Sequence, residues 1–229
     1  GDAGGSLGAA LAYYFCALKK DRQLDDNDLM QNCYLGRSFS DKYIKDILDN
    51  DGWVYTEHKQ DKADTVSDIL ISGKVLGRFC GREEYGPRAL GNRSIIGDAR
   101  SEKTQSQMNL SIKYRESFRP FAPSVLEEKS AEYFELDTPS PYMLLVAPVK
   151  KQIRTPLSKE DQETMTDPDL LKRVRFKRSS LPAITHVDYS ARVQSVSESR
   201  NDRYYRLIRK FDQKTGSGAI VNTSFNVRS

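Results

Sequence analysis

The amino-acid sequence predicts an α/β (α+β) fold, in which helices alternate with the strands of a sheet. From residue 63 onward, short apolar runs typical of strands alternate with stretches that have helical periodicity. A helix is predicted at Thr65–Ile71, Gly73 stands where a helix C-cap belongs, and the apolar strand Val75–Cys80 follows directly. A strand that follows a helix so closely is typical of such sheets.

The same alternation continues toward the end of the chain. Further strands are predicted at Arg93–Gly97, Phe121–Leu126, Tyr142–Val149, Pro182–Val187, Ala191–Val196 and Ala219–Asn222. Further helices are predicted at Lys103–Lys113, Glu127–Phe134 and Asp202–Lys214. Residues 150–180 show almost no periodicity, being acidic from 160 to 169 and basic from 172 to 178, and we expect an exposed insertion there.

The first 62 residues follow a different pattern. Glycines 1, 4, 5 and 8 come immediately before an Ala-, Leu- and Tyr-rich helical stretch. This arrangement is typical either of a phosphate-binding turn at a helix N-terminus or of a tight turn into a buried helix. Residues 21–62 are polar, with one short helix predicted at Asp41–Leu48, and we interpret them as a connector.

Composition limits the class of protein. Hydrophobic residues make up 38% and charged residues 30% of the 229, so we expect a folded chain with a large solvated surface. The net charge is +4, and the arginines cluster in a few segments, which favours anionic ligands. The three cysteines are too few for a disulfide framework. The longest nearly apolar run, 7–18, is shorter than the roughly 20 residues of a membrane span, so we expect a cytoplasmic protein.

Arginines and glycines are combined in the segment GREEYGPRALGNRS, residues 81–94, directly after a predicted strand. Glycine and proline break any helix here, so Arg82, Arg88 and Arg93 cannot simply decorate a helix surface. A guanidinium group matches phosphate or carboxylate with two parallel hydrogen bonds. The segment is therefore interpreted as an anion-binding loop, and a turn closed by salt bridges to Glu83 and Glu84 is the alternative.

A second basic segment is KYRESFRPFAP, residues 113–123. If the segment is extended, Lys113 and Arg115 point to the same face, and Arg119 follows before a proline. Cations held this close favour an anion between them. The alternative is an exposed basic loop.

Polar side chains also mark THVDYSARVQ, residues 185–194, and VNTSFN, residues 221–226. His186 and Asp188 share one face of the predicted strand, either as an acid/base pair or as a simple hydrogen-bonded pair, and Arg192 is a further anion candidate. VNTSFN follows an apolar strand, where ligands bind in open α/β sheets, unless it only forms a turn. The basic strip KRVRFKR, residues 172–178, is interpreted as a solvated charged surface.

Four of these segments, in chain order, resemble the C-terminal half of the O-carbamoyltransferase family, which includes the nodulation, cephalosporin and tobramycin carbamoyltransferases. They are residues 81–94, 113–123, 185–194 and 221–226. The resemblance runs from about residue 63 to the end and rests on EYGPRALGNRS, KxRESFRPFAP, THVDxxARVQ and NTSFN. It implies a YrdC-like α/β domain at 63–229, with a twisted mixed sheet and flanking helices, that continues beyond Ser229. It also implies that residues 1–20 are the remnant of a sugar-kinase/actin-like domain that begins upstream.

The resemblance implies a role for each polar motif. The KxR and SxN tetrad of YrdC-like domains falls on Lys113, Arg115, Ser224 and Asn226. ATP, Mg²⁺ and carbamoyl phosphate are the expected ligands, and carbamoyl adenylate is the expected product, for transfer to an acceptor hydroxyl. Lys113, Arg115 and Arg119 are the expected catalytic residues. The other expected contacts to the nucleotide or acyl phosphate are Arg88, Asn92, Arg93, Thr185, His186, Arg192 and Asn222.

The resemblance also implies a metal site outside this domain. Asp2 lies in a segment like the one that supplies an aspartate to the iron of the transferase site, and the other ligands are expected upstream of Gly1. We therefore expect the domain that precedes this chain to be its partner. Two alternatives stay open. One is a threonylcarbamoyl-adenylate synthase for tRNA modification, and the other is a non-catalytic RNA-binding module, although we expect neither nucleic acid nor membrane as a partner.

Overall fold

A computed structural model describes residues 2–23, 28–58, 62–117, 119–169, 172–173 and 176–227, the side chains of residues 2 and 3 excepted. Its helices are α1 (Asp2–Ala12), α2 (Asp41–Asn50), α3 (Lys62–Ile71), α4 (Glu102–Met108), α5 (Ser130–Tyr133), α6 (Lys159–Thr166) and α7 (Glu198–Thr215). Its strands are β1 (Leu76–Phe79), β2 (Arg93–Asp98), β3 (Ala122–Leu126), β4 (Val146–Pro148), β5 (Ser190–Arg192), β6 (Gln194–Val196) and β7 (Ala219–Ser224).

A five-stranded mixed sheet with the order β1-β2-β7-β3-β6 forms the centre of the protein. The first three pairings are antiparallel, and β3 pairs with β6 in parallel. A separate antiparallel pair, β4 with β5, sets Val146 opposite Arg192. Helices flank the mixed sheet, so the predicted α/β (α+β) class is confirmed.

The sheet separates two hydrophobic cores because neighbouring residues of a strand point to opposite faces. On one face, Ile96 packs with Leu70 of α3 and Phe211 of α7. On the other face, Ile95 packs with Met108 of α4 and with residues from β3, β5 and β7. The sheet is thus buried on both sides, and the buried polar side chains of Ser124, Gln194 and Asn222 bond to one another within it.

The predicted strand Pro182–Val187 is wrong, because Pro182–Ile184 forms a 3-10 turn and a tight turn follows at His186. Two other predicted strands are only partly right. Ala191–Val196 is divided between the two sheets at Val193, whose N–H donates to Leu145 O. Tyr142–Val149 is extended only in β4, because Met143 has a left-handed backbone with φ 54° that interrupts the run.

The N-terminal glycines and residues 150–180 also differ from expectation. Gly4, Gly5 and Gly8 lie inside α1, so they do not form a loop before a helix. Residues 150–180 contain α6 and are anchored at their ends, where Arg154 pairs with the buried Ser179. The described helices include none that is both long and apolar enough to cross a bilayer.

Candidate anion-binding active site

The helix predicted at Lys103–Lys113 is confirmed, and Lys113 is its last residue, so Lys113 and Arg115 do not share one extended segment. Helix α4 continues into a π-helical turn, Asn109–Lys113, and Tyr114 ends it with a left-handed backbone at φ 47°. This turn directs the Lys113 side chain toward the end of β7, where Ser224 and Asn226 lie. The tetrad residues therefore meet because a helix end faces a strand end.

The Lys113 ammonium group is surrounded by uncharged oxygens. Its Nζ donates to Ser224 O at 2.7 Å, Ser224 Oγ at 3.2 Å, Asn226 O at 2.9 Å and Asn226 Oδ1 at 2.6 Å. The residue is only 3% exposed. Burial, and secondarily the charge of Arg115, lowers the pKa of Lys113 to about 8. An anion near this group would restore the charge balance that the neutral oxygens do not supply.

Arg115 is held beside Lys113 by Asn109. Its Nε donates to Asn109 Oδ1 at 2.6 Å, and its guanidinium carbon lies 4.8 Å from the centre of the Phe121 ring. Burial, and then the charge of Arg119, lowers the pKa of Arg115. Arg119 itself is more exposed and pairs with Glu116 at 2.9 Å. Arg115 is thus positioned rigidly, whereas Arg119 stands at the solvent side.

Arg88 and Arg192 form a second cationic cluster. The Nε atoms of both side chains are buried and have no hydrogen-bond partner among the described residues. Burial lowers the pKa of Arg192, and the nearby charge of Arg88 lowers it further. Buried polar groups are normally hydrogen-bonded, and like charges repel, so this pair fits an anion that binds both guanidinium groups.

Glu84 shapes the segment that carries Arg88, which we call the arginine loop (residues 82–93). Its Oε1 accepts from Leu90 N at 2.8 Å, Asn92 N at 2.8 Å and Arg93 N at 3.2 Å. The sequence interpretation of a salt-bridged turn missed this role, because the carboxylate binds backbone amides and not an arginine. A carboxylate that binds several amides stabilises a tight loop.

Two polar strand residues tie the arginine loop to the sheet. Asn222 Nδ2 donates to Ala89 O at 2.9 Å, and Gln194 Nε2 donates to Leu90 O at 2.9 Å. Ser124 Oγ in turn donates to Gln194 Oε1 at 2.5 Å. The side-chain amide of Asn222, a predicted ligand contact, therefore has a structural role in holding the loop.

The remaining polar residues of the arginine loop are bound within the protein. Asn92 Nδ2 donates to Arg82 O at 2.8 Å, and Asn92 Oδ1 accepts from Asn201 at 3.1 Å. The Arg93 guanidinium donates to backbone carbonyls, including Cys80 O at 3.0 Å, and its central carbon lies 3.6 Å from the Phe79 ring centre. The sequence pattern grouped Arg88 with Asn92 and Arg93. In the structure Asn92 and Arg93 bond to other parts of the protein, whereas Arg88 Nε has no partner among the described residues.

The segment 185–190 forms a turn in which His186 and Asp188 are not hydrogen-bonded to each other. Asp188 Oδ1 accepts from the hydroxyl of Ser190 at 2.7 Å and from its amide at 3.0 Å, and these bonds lower the pKa of Asp188. Burial lowers the pKa of His186; Asp188 raises it and Arg192 lowers it. The Thr185 hydroxyl is buried and donates to Leu181 O at 2.9 Å. His186 therefore stands near Arg192 as a neutral side chain.

A groove of about 1160 Å³ lies apart from these clusters, between α2, β1 and α7. Arg78, Arg203 and Arg206 line it, together with Arg82 and Asn92 of the arginine loop. The basic strip 172–178 also lies elsewhere. Lys172 and Lys177 pair with acidic side chains, the Arg178 side chain is buried, and residues 174 and 175 lie outside the described residues.

Comparison with known proteins identifies the family. Residues 67–229 match the family model described as "Carbamoyltransferase C-terminus". The chain belongs to this carbamoyltransferase family. An uncharacterized protein of Synechocystis is 51% identical over the whole chain, which corresponds to 37% of that protein. Nodulation protein NolO of Bradyrhizobium diazoefficiens is 34% identical over 98% of the chain and 37% of its own length.

A relative that is named as an enzyme is 3'-hydroxymethylcephem-O-carbamoyltransferase of Amycolatopsis lactamdurans. It is 37% identical over 71% of this carbamoyltransferase-family chain, which spans 26% of that enzyme. The chain thus spans between about a quarter and two fifths of the length of these relatives. Asp2, the predicted metal ligand, begins α1, but its side chain lies outside the described residues. The described residues include no group of three or more His, Cys, Asp or Glu that could hold a metal.

The Arg88 and Arg192 cluster predicts a specific response to anions. In wild-type protein, inorganic phosphate at about 100 times its dissociation constant should raise the free energy of unfolding by about 2 to 3 kcal/mol. Arg192→Met should lose most of this gain, yet its stability without phosphate should be unchanged or slightly higher, because repulsion from Arg88 is relieved. Thermal unfolding with and without inorganic phosphate measures both effects.

Arg206→Met is the matched control, because Arg206 is 66% exposed and pairs with Asp202 on α7, away from the cluster. This variant should keep the full gain from inorganic phosphate. An equal gain in Arg192→Met and in wild type would show that the anion binds elsewhere.

Proposed function

We propose that this chain forms carbamoyl adenylate from ATP and carbamoyl phosphate within an O-carbamoyltransferase. The observation that carries the proposal is the pair of guanidinium groups, Arg88 and Arg192, whose buried Nε atoms have no partner among the described residues. The Lys113 ammonium group, held by neutral oxygens, supports it as a second anion site. Membership of the carbamoyltransferase family supports the reaction class.

Two anion sites suit a reaction with two phosphorylated substrates. Arg88 and Arg192 would bind the phosphoryl group of carbamoyl phosphate by charge-assisted hydrogen bonds. Lys113, Ser224 and Asn226 would bind the phosphates of ATP, whose oxygens would take the place of some of the present acceptors of Nζ. Mg²⁺ would be held by the ATP phosphates and would neutralise part of their charge.

The chemistry proceeds in two balanced steps. Carbamoyl phosphate and water give carbamate and inorganic phosphate. A carbamate oxygen then attacks the α-phosphorus of ATP, the bond from that phosphorus to the β-phosphate oxygen breaks, and pyrophosphate leaves carbamoyl adenylate. The attacking oxygen is already an anion, so this second step needs no general base.

Catalysis in this scheme depends on position and charge. Arg115, fixed by Asn109 and Phe121, would stabilise the negative charge that develops on the α-phosphate. Arg119, at the solvent side, would assist binding of the carbamoyl phosphate. His186 is kept neutral by burial and lies near Arg192, so it can accept or donate a hydrogen bond without competing for the anion.

Transfer of the carbamoyl group to an acceptor hydroxyl would take place in the longer protein. The name of one relative, 3'-hydroxymethylcephem-O-carbamoyltransferase, supports a hydroxyl oxygen as the acceptor. We propose the same bond for this protein, with the adenylate passed to a separate transferase domain. The iron implied by the resemblance would belong to that transfer and not to adenylate formation.

Pyrophosphate exchange tests the half-reaction directly. In the presence of Mg²⁺ and carbamoyl phosphate, the chain should incorporate labelled pyrophosphate into ATP, because adenylate formation is reversible. Lys113→Met should reduce the rate by about 100-fold or more, the usual effect of removing one group that stabilises the transition state. Lys129→Met is the control, because Lys129 pairs with Asp212 on another part of the surface.

The same assay separates the alternatives. Exchange that requires threonine and bicarbonate, and proceeds without carbamoyl phosphate, would favour a threonylcarbamoyl-adenylate synthase. A folded wild-type protein that shows no exchange with either set of substrates would contradict the proposed half-reaction for this chain.

The pKa of Lys113 predicts a pH dependence of exchange. Because that pKa is lowered to about 8, the free protein loses the ammonium charge as the pH rises through 8, and the charge is fully present at lower pH. The kcat/KM for ATP should therefore fall above pH 8, since kcat/KM reports the free enzyme. Lys113→Arg should keep whatever activity it has to higher pH. A wild-type profile that stays flat to pH 9.5 would contradict a role for the Lys113 charge.

A further inference from the structure

Residues 28–37 form the part of the connector that contacts the arginine loop, and we call them the connector segment. Three backbone bonds join them: Gly36 N donates to Glu83 O at 2.9 Å, Glu83 N to Arg37 O at 2.9 Å, and Tyr85 N to Cys33 O at 2.6 Å. The Arg82 guanidinium also donates to Gly36 O at 3.1 Å. The connector segment lies upstream of the part that matches the family model, which begins at residue 67, yet it shares an interface with the loop that carries Arg88.

An unfavourable backbone conformation is maintained where the connector segment meets the loop. Gln31, Asn32 and Cys33 have φ values of 48°, 52° and 63°, and none of them is glycine. Left-handed conformations of such residues cost roughly 1 kcal/mol or more each, so the surrounding contacts must offset that cost. Strain of this kind is common where a backbone is held in place for function.

Asp28 supplies some of the compensating contacts. Its carboxylate accepts from Met30 N at 3.1 Å and from Asn32 N at 3.0 Å, and it also accepts from the Tyr142 hydroxyl. Burial opposes ionisation of Asp28, but these hydrogen bonds outweigh it and lower the pKa of Asp28. The turn is therefore anchored at a charged group that stays ionised at neutral pH.

The Tyr34 side chain joins the strained turn at residues 31–33 to the arginine loop. Its ring packs against Leu90, Ala122 and Met143. Its hydroxyl donates to Leu90 O at 2.6 Å and accepts from Asn201 Nδ2 at 2.9 Å. Burial raises the pKa of Tyr34, so the hydroxyl remains protonated and can donate.

Leu90 O is an anchoring point for the Arg88 backbone. It accepts from Tyr34 on one side and from Gln194 Nε2 on the other, at 2.9 Å. Gln194 follows Arg192 by two residues, and Leu90 follows Arg88 by two residues. The bonds at Leu90 O thus fix the separation of the two arginine backbones, and Tyr34 contributes one of them from outside the sheet.

Asn201 completes this set of contacts. It interrupts α7 with φ −151° and ψ 77°, and its side-chain oxygen accepts from Tyr204 N at 3.1 Å. The Tyr204 ring lies so close to Gly91 that a Cβ there would come within 2.3 Å of it. Tyr34 thus bonds to the loop backbone at Leu90, Tyr204 packs against it at Gly91, and Asn201 bonds to both of these tyrosines.

We propose that Tyr34 is a positioning residue for Arg88, by which the connector segment sets the geometry of the Arg88 and Arg192 anion site. This inference rests on the proposed function, because it assigns that site to carbamoyl phosphate. Tyr34 does not touch the substrate in this scheme. It acts through Leu90 O, and the connector segment thereby links this site to the part of the protein that precedes it.

The test compares Tyr34→Phe with Tyr133→Phe in the full chain. Each substitution removes one buried hydroxyl, and Tyr133 Oη accepts from Gly218 N at 3.0 Å within the other core. Amide hydrogen exchange reports on the loop, through Leu90 and Asn92. Calorimetric titration reports the affinities for carbamoyl phosphate, inorganic phosphate and ATP.

Tyr34→Phe should speed exchange at Leu90 and Asn92 and weaken carbamoyl phosphate and inorganic phosphate about fivefold, the effect of one lost hydrogen bond. The affinity for ATP should change less than about twofold. Tyr133→Phe should show neither the faster loop exchange nor the selective loss of affinity.

Three results would overturn the inference: unchanged loop exchange in Tyr34→Phe, a looser loop with unchanged anion affinity, or equal losses for ATP and carbamoyl phosphate. Failure of the proposed function is distinguishable from these. In that case wild-type protein would not bind carbamoyl phosphate, while amide exchange and inorganic phosphate affinity would still decide whether Tyr34 positions Arg88.

Discussion

The carboxylate of Glu84 accepts hydrogen bonds from three amides of the arginine loop, and the arrangement of the candidate site depends on this turn. The turn presents Ala89 O and Leu90 O to the side chains of Asn222 and Gln194 on the sheet. Arg88 lies near enough to Arg192 to lower the pKa of Arg192, and neither side chain has an ion pair among the described residues. Glu84 thus organises the backbone, and Arg88 stays available for a ligand.

Lys113 is a second buried cation whose bonded partners are neutral. Its ammonium group is bonded to four uncharged oxygens from Ser224 and Asn226, and burial lowers its pKa to about 8. Buried cations without anionic partners cost free energy, and a protein retains them where a ligand supplies the opposite charge. Two such centres on one domain agree with a substrate pair that carries several phosphate groups.

Sequence patterns predicted a sheet with helices and several of its strands, because alternation and apolar runs depend on local residues. They also singled out Arg88, Arg192 and the Lys113 segment. They did not predict that Asn222 binds the arginine loop, since an amide at a strand end fits a ligand or a turn equally well. The strand predicted at Pro182–Val187 was wrong, because tertiary contacts favour a 3-10 turn there. The contact between Tyr34 and the arginine loop could not be predicted from the sequence. It depends on left-handed backbone at Gln31, Asn32 and Cys33, and none of these is the glycine that would mark such a turn.

A crystal structure of the chain with carbamoyl phosphate and a non-hydrolysable ATP analogue would locate both anion sites. We expect one phosphoryl group within hydrogen-bonding distance of both Arg88 Nε and Arg192 Nε, and the triphosphate beside Lys113. Phosphate bound instead in the groove lined by Arg78, Arg203 and Arg206, with the Arg88 and Arg192 pair unchanged, would contradict this expectation.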